Sequence, residues 1–182
     1  STMGFDGLGM DMGNLCRLSD AKTRSISAEN RTGAQGAGDM ATEGTNAACA
    51  RELGRGWKIS PSIRIAAGQT AELADISAPG AIQQIWMTPA PIGKTRSFIL
   101  RFYWDGEETP SIECPVTDFF AVGHNKFARV NSLAVINNPR SAHNCYWPMP
   151  FHQGARITFT NEDPEDLGIL TYQITLANNG NV

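Results

Sequence analysis

Long hydrophobic runs are absent from this sequence of 182 residues; no stretch approaches the roughly 20 apolar residues that span a bilayer. Basic runs are equally scarce, none exceeding two residues, and the net charge is −3. Neither nucleic acid nor anionic lipid therefore has an electrostatic footprint to meet, and neither is expected as a partner. The first ten residues, STMGFDGLGM, contain no basic segment followed by an apolar one, so no secretory leader is read. Cysteine is sparse: Cys16, Cys49, Cys114 and Cys145 are too widely spaced for a C-x-x-C pair, which argues against a zinc knuckle or a redox dithiol. These absences predict a reducing, cytoplasmic setting. H-E-x-x-H and G-x-S-x-G are missing too, removing the familiar zinc-protease and serine-hydrolase signatures.

What is present is turn chemistry. Gly 18 and Pro 10 recur without a period, and short β-like runs lie between them. Residues 1–56 are rich in Gly, Ser, Thr and Asn and read as an extended or looping arm. Within it one short helix is predicted over Ala47–Leu53, with Thr45 as cap and Gly54 at its end. From Trp57 onward, strands are predicted at Ser62–Ile65, Gln69–Ile76, Ile82–Met87, Arg96–Trp104, Ser111–Cys114, Phe127–Ile136, Cys145–Phe151, Arg156–Thr160 and Ile169–Leu176. Three alternate cleanly. Phe98, Leu100, Phe102 and Trp104 share one face; Ile157 and Phe159 oppose Arg156, Thr158 and Thr160; Tyr172, Ile174 and Leu176 oppose Thr171, Gln173 and Thr175. The expected fold is all-β: a jelly-roll β-sandwich of about eight strands over residues 57–182, preceded by the arm. An immunoglobulin-like sandwich lacks its cysteine–tryptophan–cysteine framework here.

Two segments concentrate chemistry. Trp104–Phe120 holds five carboxylates. Asp105, Glu107 and Glu108 read as a solvated hairpin tip after an Asp-Gly turn. Glu113 and Asp118 sit among apolar residues and prolines, where a carboxylate is either satisfied structurally or placed for catalysis; hydrolysis of a glycosidic bond needs two such groups. The second segment, Thr23–Gly33, gathers hydroxyl, amide, carboxylate and guanidinium groups of the kind that bind sugar hydroxyls, and the same composition also suits a plain loop. A metal site from His143, Cys145 and His152 has no supporting spacing, and no metal is expected. Trp57, Trp86, Tyr103, Trp104, Tyr146 and Trp147 could stack on sugar faces, although most such rings belong to cores.

The stretches Lys22–Asn30, Gly56–Ser62, Gly80–Thr88, Trp104–Phe120 and Asn144–Phe151 together resemble the family first catalogued as domain of unknown function 2961 and now grouped as glycoside hydrolase family 172. The resemblance implies a jelly roll, trimer-based homo-oligomers, and retaining hydrolysis or transfer at α-D-fructofuranosides and D-arabinofuranosides without metal or organic cofactor. It implies a furanoside oligosaccharide as partner, and a loop at Ser27, Glu29 and Asn30 that helps line the sugar pocket. It also implies two jelly rolls, with the nucleophile and acid/base glutamates in the second. Neither of their surrounding stretches occurs here, and Thr117-Asp118-Phe119-Phe120 only echoes one of them. The sequence is thus expected to be the first half, cut rather than finished at Val182, and inactive alone. It would then self-associate or meet a complementing second jelly roll. The alternative expectation is a non-catalytic sandwich for carbohydrate binding or assembly.

Overall fold

The computed structural model describes residue 7 and residues 12–45, 47–90 and 95–179. Twelve strands among these residues form two antiparallel sheets. They are β1 (Lys22–Ser27), β2 (Ser62–Ile65), β3 (Thr70–Ile76), β4 (Gly80–Ala90), β5 (Phe98–Trp104), β6 (Ile112–Pro115), β7 (Val130–Asn131), β8 (Val135–Asn137), β9 (His143–Cys145), β10 (Met149–Phe151), β11 (Ala155–Asn161) and β12 (Leu167–Asn178). One α-helical turn, α1 (Val116–Phe119), follows β6. The larger sheet runs β1-β12-β4-β9-β8-β7, with β2 also on β12 and β10 also on β4; the smaller runs β3-β11-β5-β6.

Pairing is nested. β2 meets β12, β3 meets β11, β4 meets β9 and β10, and β5 meets β6. A long antiparallel ribbon rolled on itself gives this order, which is the jelly roll. The nine predicted strand segments become twelve strands because two of them break and the arm contributes β1. Cys145–Phe151 divides at Tyr146-Trp147-Pro148, where Pro148 offers no N–H to a ladder, leaving β9 and β10. Phe127–Ile136 divides at a turn in which the Ser132 hydroxyl donates to the Val135 carbonyl and accepts from the Val135 N–H, leaving β7 and β8.

The core lies between the sheets and follows the alternation. Leu170, Tyr172, Ile174 and Leu176 of β12 face Phe98, Leu100 and Phe102 of β5 and Ile157 and Phe159 of β11, all essentially inaccessible to water. Burying each such side chain contributes about 1.5–3 kcal/mol. Three register shifts interrupt the ladders, one between Leu167 and Leu170 where β12 meets β2 and two that adjust the phase of the core. Thr175 pairs with Gln84 and Leu176 with Ile82, so Gln83 is the extra residue, and Ile82 and Ile85 both turn inward although three apart. Ile157 pairs with Ala74 and Thr158 with Glu72, which inserts Leu73 and buries it beside Ala74. Thr158, expected to face water, is buried; its register neighbours are Arg101 and Glu72, and a short side chain between two long ones loses solvent without turning inward.

The arm is less irregular than its composition suggests. Its β1 adds to the free half of one β12 edge, the other half being taken by β2. The predicted helix is instead two 3₁₀ turns, Ala47–Cys49 and Arg51–Leu53; so short a segment cannot recover the cost of nucleating an α-helix, and Ala50 provides no side-chain cap. No helix among the described residues is long and apolar enough to cross a membrane.

Candidate functional site

Ser27 and Asn30 exchange both backbone hydrogen bonds, at 3.0 and 3.1 Å, which makes Ala28-Glu29 a two-residue turn at the end of β1. That turn aims Glu29 at the segment entering β2: Glu29 Oε1 accepts the Ser60 N–H, while Oε2 is buried without a partner. Asn30 Nδ2 donates to the Ala34 carbonyl at 3.0 Å, fixing the amide beside the turn. The arm closes the other side. The Gly56 N–H donates to the Asp39 carbonyl at 2.8 Å, and both residues hold positive φ, +92° and +57°.

Between these segments lies a depression of about 470 Å³. Ser25 and Ser27 enter it from the outer face of β1, and Gln173 from β12; Ser27 and Gln173 are register partners. Glu29 and Asn30 line it from the turn, Asp39 from the arm and Lys58 from the segment entering β2, and Trp57 leaves 56% of its surface exposed on its rim. The arrangement supplies an aromatic face, two carboxylates, an ammonium, two hydroxyls and two amides to one open cavity. Such a set can stack on a sugar ring and bond its hydroxyls.

The structure therefore brings Ser27, Glu29 and Asn30 together. Glu113 and Asp118 lie outside this depression. Glu113, on β6, pairs across the ladder with Arg101 of β5 at 2.5 Å; Arg101 also donates to Thr160 Oγ1 at 2.7 Å. Asp118, in α1, accepts from Arg96 at 2.5 Å, and the same guanidinium donates to the Gly123 carbonyl, so the pair ties α1 to the loop beyond it. Asp105 is more constrained than a solvated tip. Its Oδ1 accepts the N–H groups of His152, Gln153 and Gly154, and these bonds, Gln153 first, hold its carboxyl below the usual carboxylate range. Glu107 and Glu108 are exposed as expected. His143 is stacked on Phe120 and bonded to Asn137, and Cys145 is fully buried with its thiol pushed up to about 12. All four cysteines are free thiols.

Sequence reasoning counted Trp57 only among six aromatics and did not single out Asp39, Lys58 or Gln173. The outward phase of β12 was the available signal for Gln173. Asp39 and Lys58 are brought in by turns of the arm and of the segment entering β2, which leave no periodic trace.

Fold and site together define a jelly-roll β-sandwich bearing an open, polar, tryptophan-rimmed depression on the outer face of its larger sheet. Residues 58–172 match the model of the GH172 domain-like family. The chain belongs to that family, one of glycoside hydrolases. The matched span covers the rolled strands from β2 into β12 and stops short of the turn carrying Ser27, Glu29 and Asn30. No curated protein matches the chain.

Proposed function

We propose that this chain is the sugar-binding first jelly roll of a retaining glycoside hydrolase or transglycosylase acting on α-D-fructofuranosides or D-arabinofuranosides. Ser27, Glu29 and Asn30 hold the furanoside, and the nucleophile and acid/base glutamates come from a second jelly roll. The observation carrying this reading is the convergence of those three residues with Trp57 around one cavity, with Glu29 anchored there by the Ser60 N–H. No metal or organic cofactor enters the reading. The exposed side chains of Phe127, Leu133 and Tyr146 suit contact with a second copy or the complementing jelly roll, and exposed thiols at Cys16 and Cys49 suit a cytoplasmic setting.

Glu113 and Asp118 favour a second reading, a non-catalytic binding or assembly module, because each is already engaged by an arginine. Both readings give the isolated chain no activity on p-nitrophenyl α-D-arabinofuranoside. Turnover of about one per second, the low end of ordinary enzymes, would place catalysis on carboxylates of this chain and contradict both. Adding a second jelly roll separates them, since only the hydrolase reading predicts that activity then appears and falls on Glu29→Gln.

A further inference from the structure

A second, smaller depression of about 260 Å³ adjoins the first and shares Ser25 and Asn30 with it. Charge divides between the two. Glu29, Asp39 and Lys58 line the larger, net negative, whereas Arg24 is the one charged residue lining the smaller. Arg24 is a cation without a counter-charge: Nη1 donates to the carbonyl of neighbouring Thr23 at 3.0 Å, and no carboxylate pairs with it among the described residues. β1, which carries it, reads Lys-Thr-Arg-Ser-Ile-Ser, with no acidic residue and with Lys22 exposed two positions before. Surface arginines ordinarily find a carboxylate or remain fully hydrated; one half-withdrawn from water beside a depression and lacking a carboxylate is arranged for an oxyanion.

We propose that this smaller depression is a subsite for an oxyanion substituent, carboxylate or phosphate, on the sugar held in the larger one. Ser25 and Asn30 bridge the two parts, so one ligand engages both. The inference rests on the furanoside reading above, and its test separates the two. Calorimetric titration of the chain uses methyl α-D-arabinofuranoside, its 5-phosphate, the corresponding 5-carboxylate and inorganic phosphate. At least one charged sugar binds about fivefold tighter than the neutral one, the gain one partly exposed ion pair supplies, and which of the two gains more identifies the oxyanion. In Arg24→Gln the preference falls to none while neutral binding holds; Arg24→Lys keeps part of it. Equal binding of charged and neutral sugars overturns the subsite and leaves the furanoside reading standing. Preference surviving in Arg24→Gln also overturns it. Inorganic phosphate binding as tightly as the sugar phosphate reduces the site to an isolated anion site and overturns it as well. No binding of any sugar overturns both readings.

Discussion

Lowering the pH from 7.5 to 4.5 asks the fold to accept a proton at His143. The ring lies in β9 at 4% exposure, stacked on Phe120 at 5.0 Å. Asn137 Nδ2 donates to the Phe120 carbonyl, so Asn137 Oδ1 is the acceptor facing His143 Nδ1 at 2.6 Å. Nδ1 must then carry the proton, and Nε2 is a bare lone pair, buried without a partner. Protonating Nε2 creates a buried charge and an unmet donor together. Burial accordingly depresses the folded-state pKa from 6.5 to about 4. With the folded value below the unfolded one, stability is fully present above pH 6.5, declines as the unfolded chain takes up a proton the folded chain refuses, and levels near pH 4. The linkage is about 1.4 kcal/mol per pH unit, which gives a loss of about 2–3 kcal/mol by pH 4.5. Urea unfolding followed by tryptophan fluorescence measures it, with His143→Gln as reference, since glutamine keeps an amide donor but does not titrate. Other acids, Asp105 among them, act equally on both proteins. The stability gap between wild type and variant should narrow by about 2–3 kcal/mol between pH 7.5 and 4.5. Parallel curves, or a His143 imidazole resonance titrating near 6.5, would refute the reasoning.

Three further outcomes follow from the packing and the site. Ile174→Ala, at a position with no exposure in the centre of β12, should cost about 2–5 kcal/mol in the same unfolding assay; a loss under 1 would show a looser core than described. Gly154→Ala drives a Cβ against the Ile76 carbonyl oxygen, a backbone atom that cannot step aside, and should destabilise by about 1–3 kcal/mol, read as a fall in Tm by calorimetry; an unchanged Tm would contradict the close approach. Trp57→Ala removes a ring that is 56% exposed, so stability should shift by less than about 0.5 kcal/mol while furanoside affinity falls about tenfold; a large stability loss would make Trp57 structural.

The rolled core was legible where one period of two runs unbroken. Phe98, Leu100 and Phe102 on β5, and Tyr172, Ile174 and Leu176 on β12, are inward as alternation requires. It was illegible where a bulge resets the phase: alternation from Ile82 would turn Gln84 and Trp86 inward, and the inserted Gln83 instead brings in Ile85 and Met87. β1 escaped notice because Ile26 is its single apolar residue, and it becomes a strand by pairing with a β12 edge about 150 positions away, a register no local pattern encodes. The same reason divides the site. Ser27, Glu29 and Asn30 are sequence neighbours on one turn, whereas Trp57, Lys58 and Gln173 arrive through tertiary contact. For Glu113 and Asp118 the arginine partners stand 12 and 22 residues away, so their pairing could not be read beforehand.

The central claim is that the depression at Ser27, Glu29 and Asn30 binds furanosides. Its most direct measurement is calorimetric titration of methyl α-D-arabinofuranoside into wild type and Glu29→Gln. The account predicts saturable binding by the wild type and about tenfold weaker binding by the variant, whose anchored carboxylate has become a neutral amide. Equal affinity in the two proteins, or none in the wild type, would contradict it.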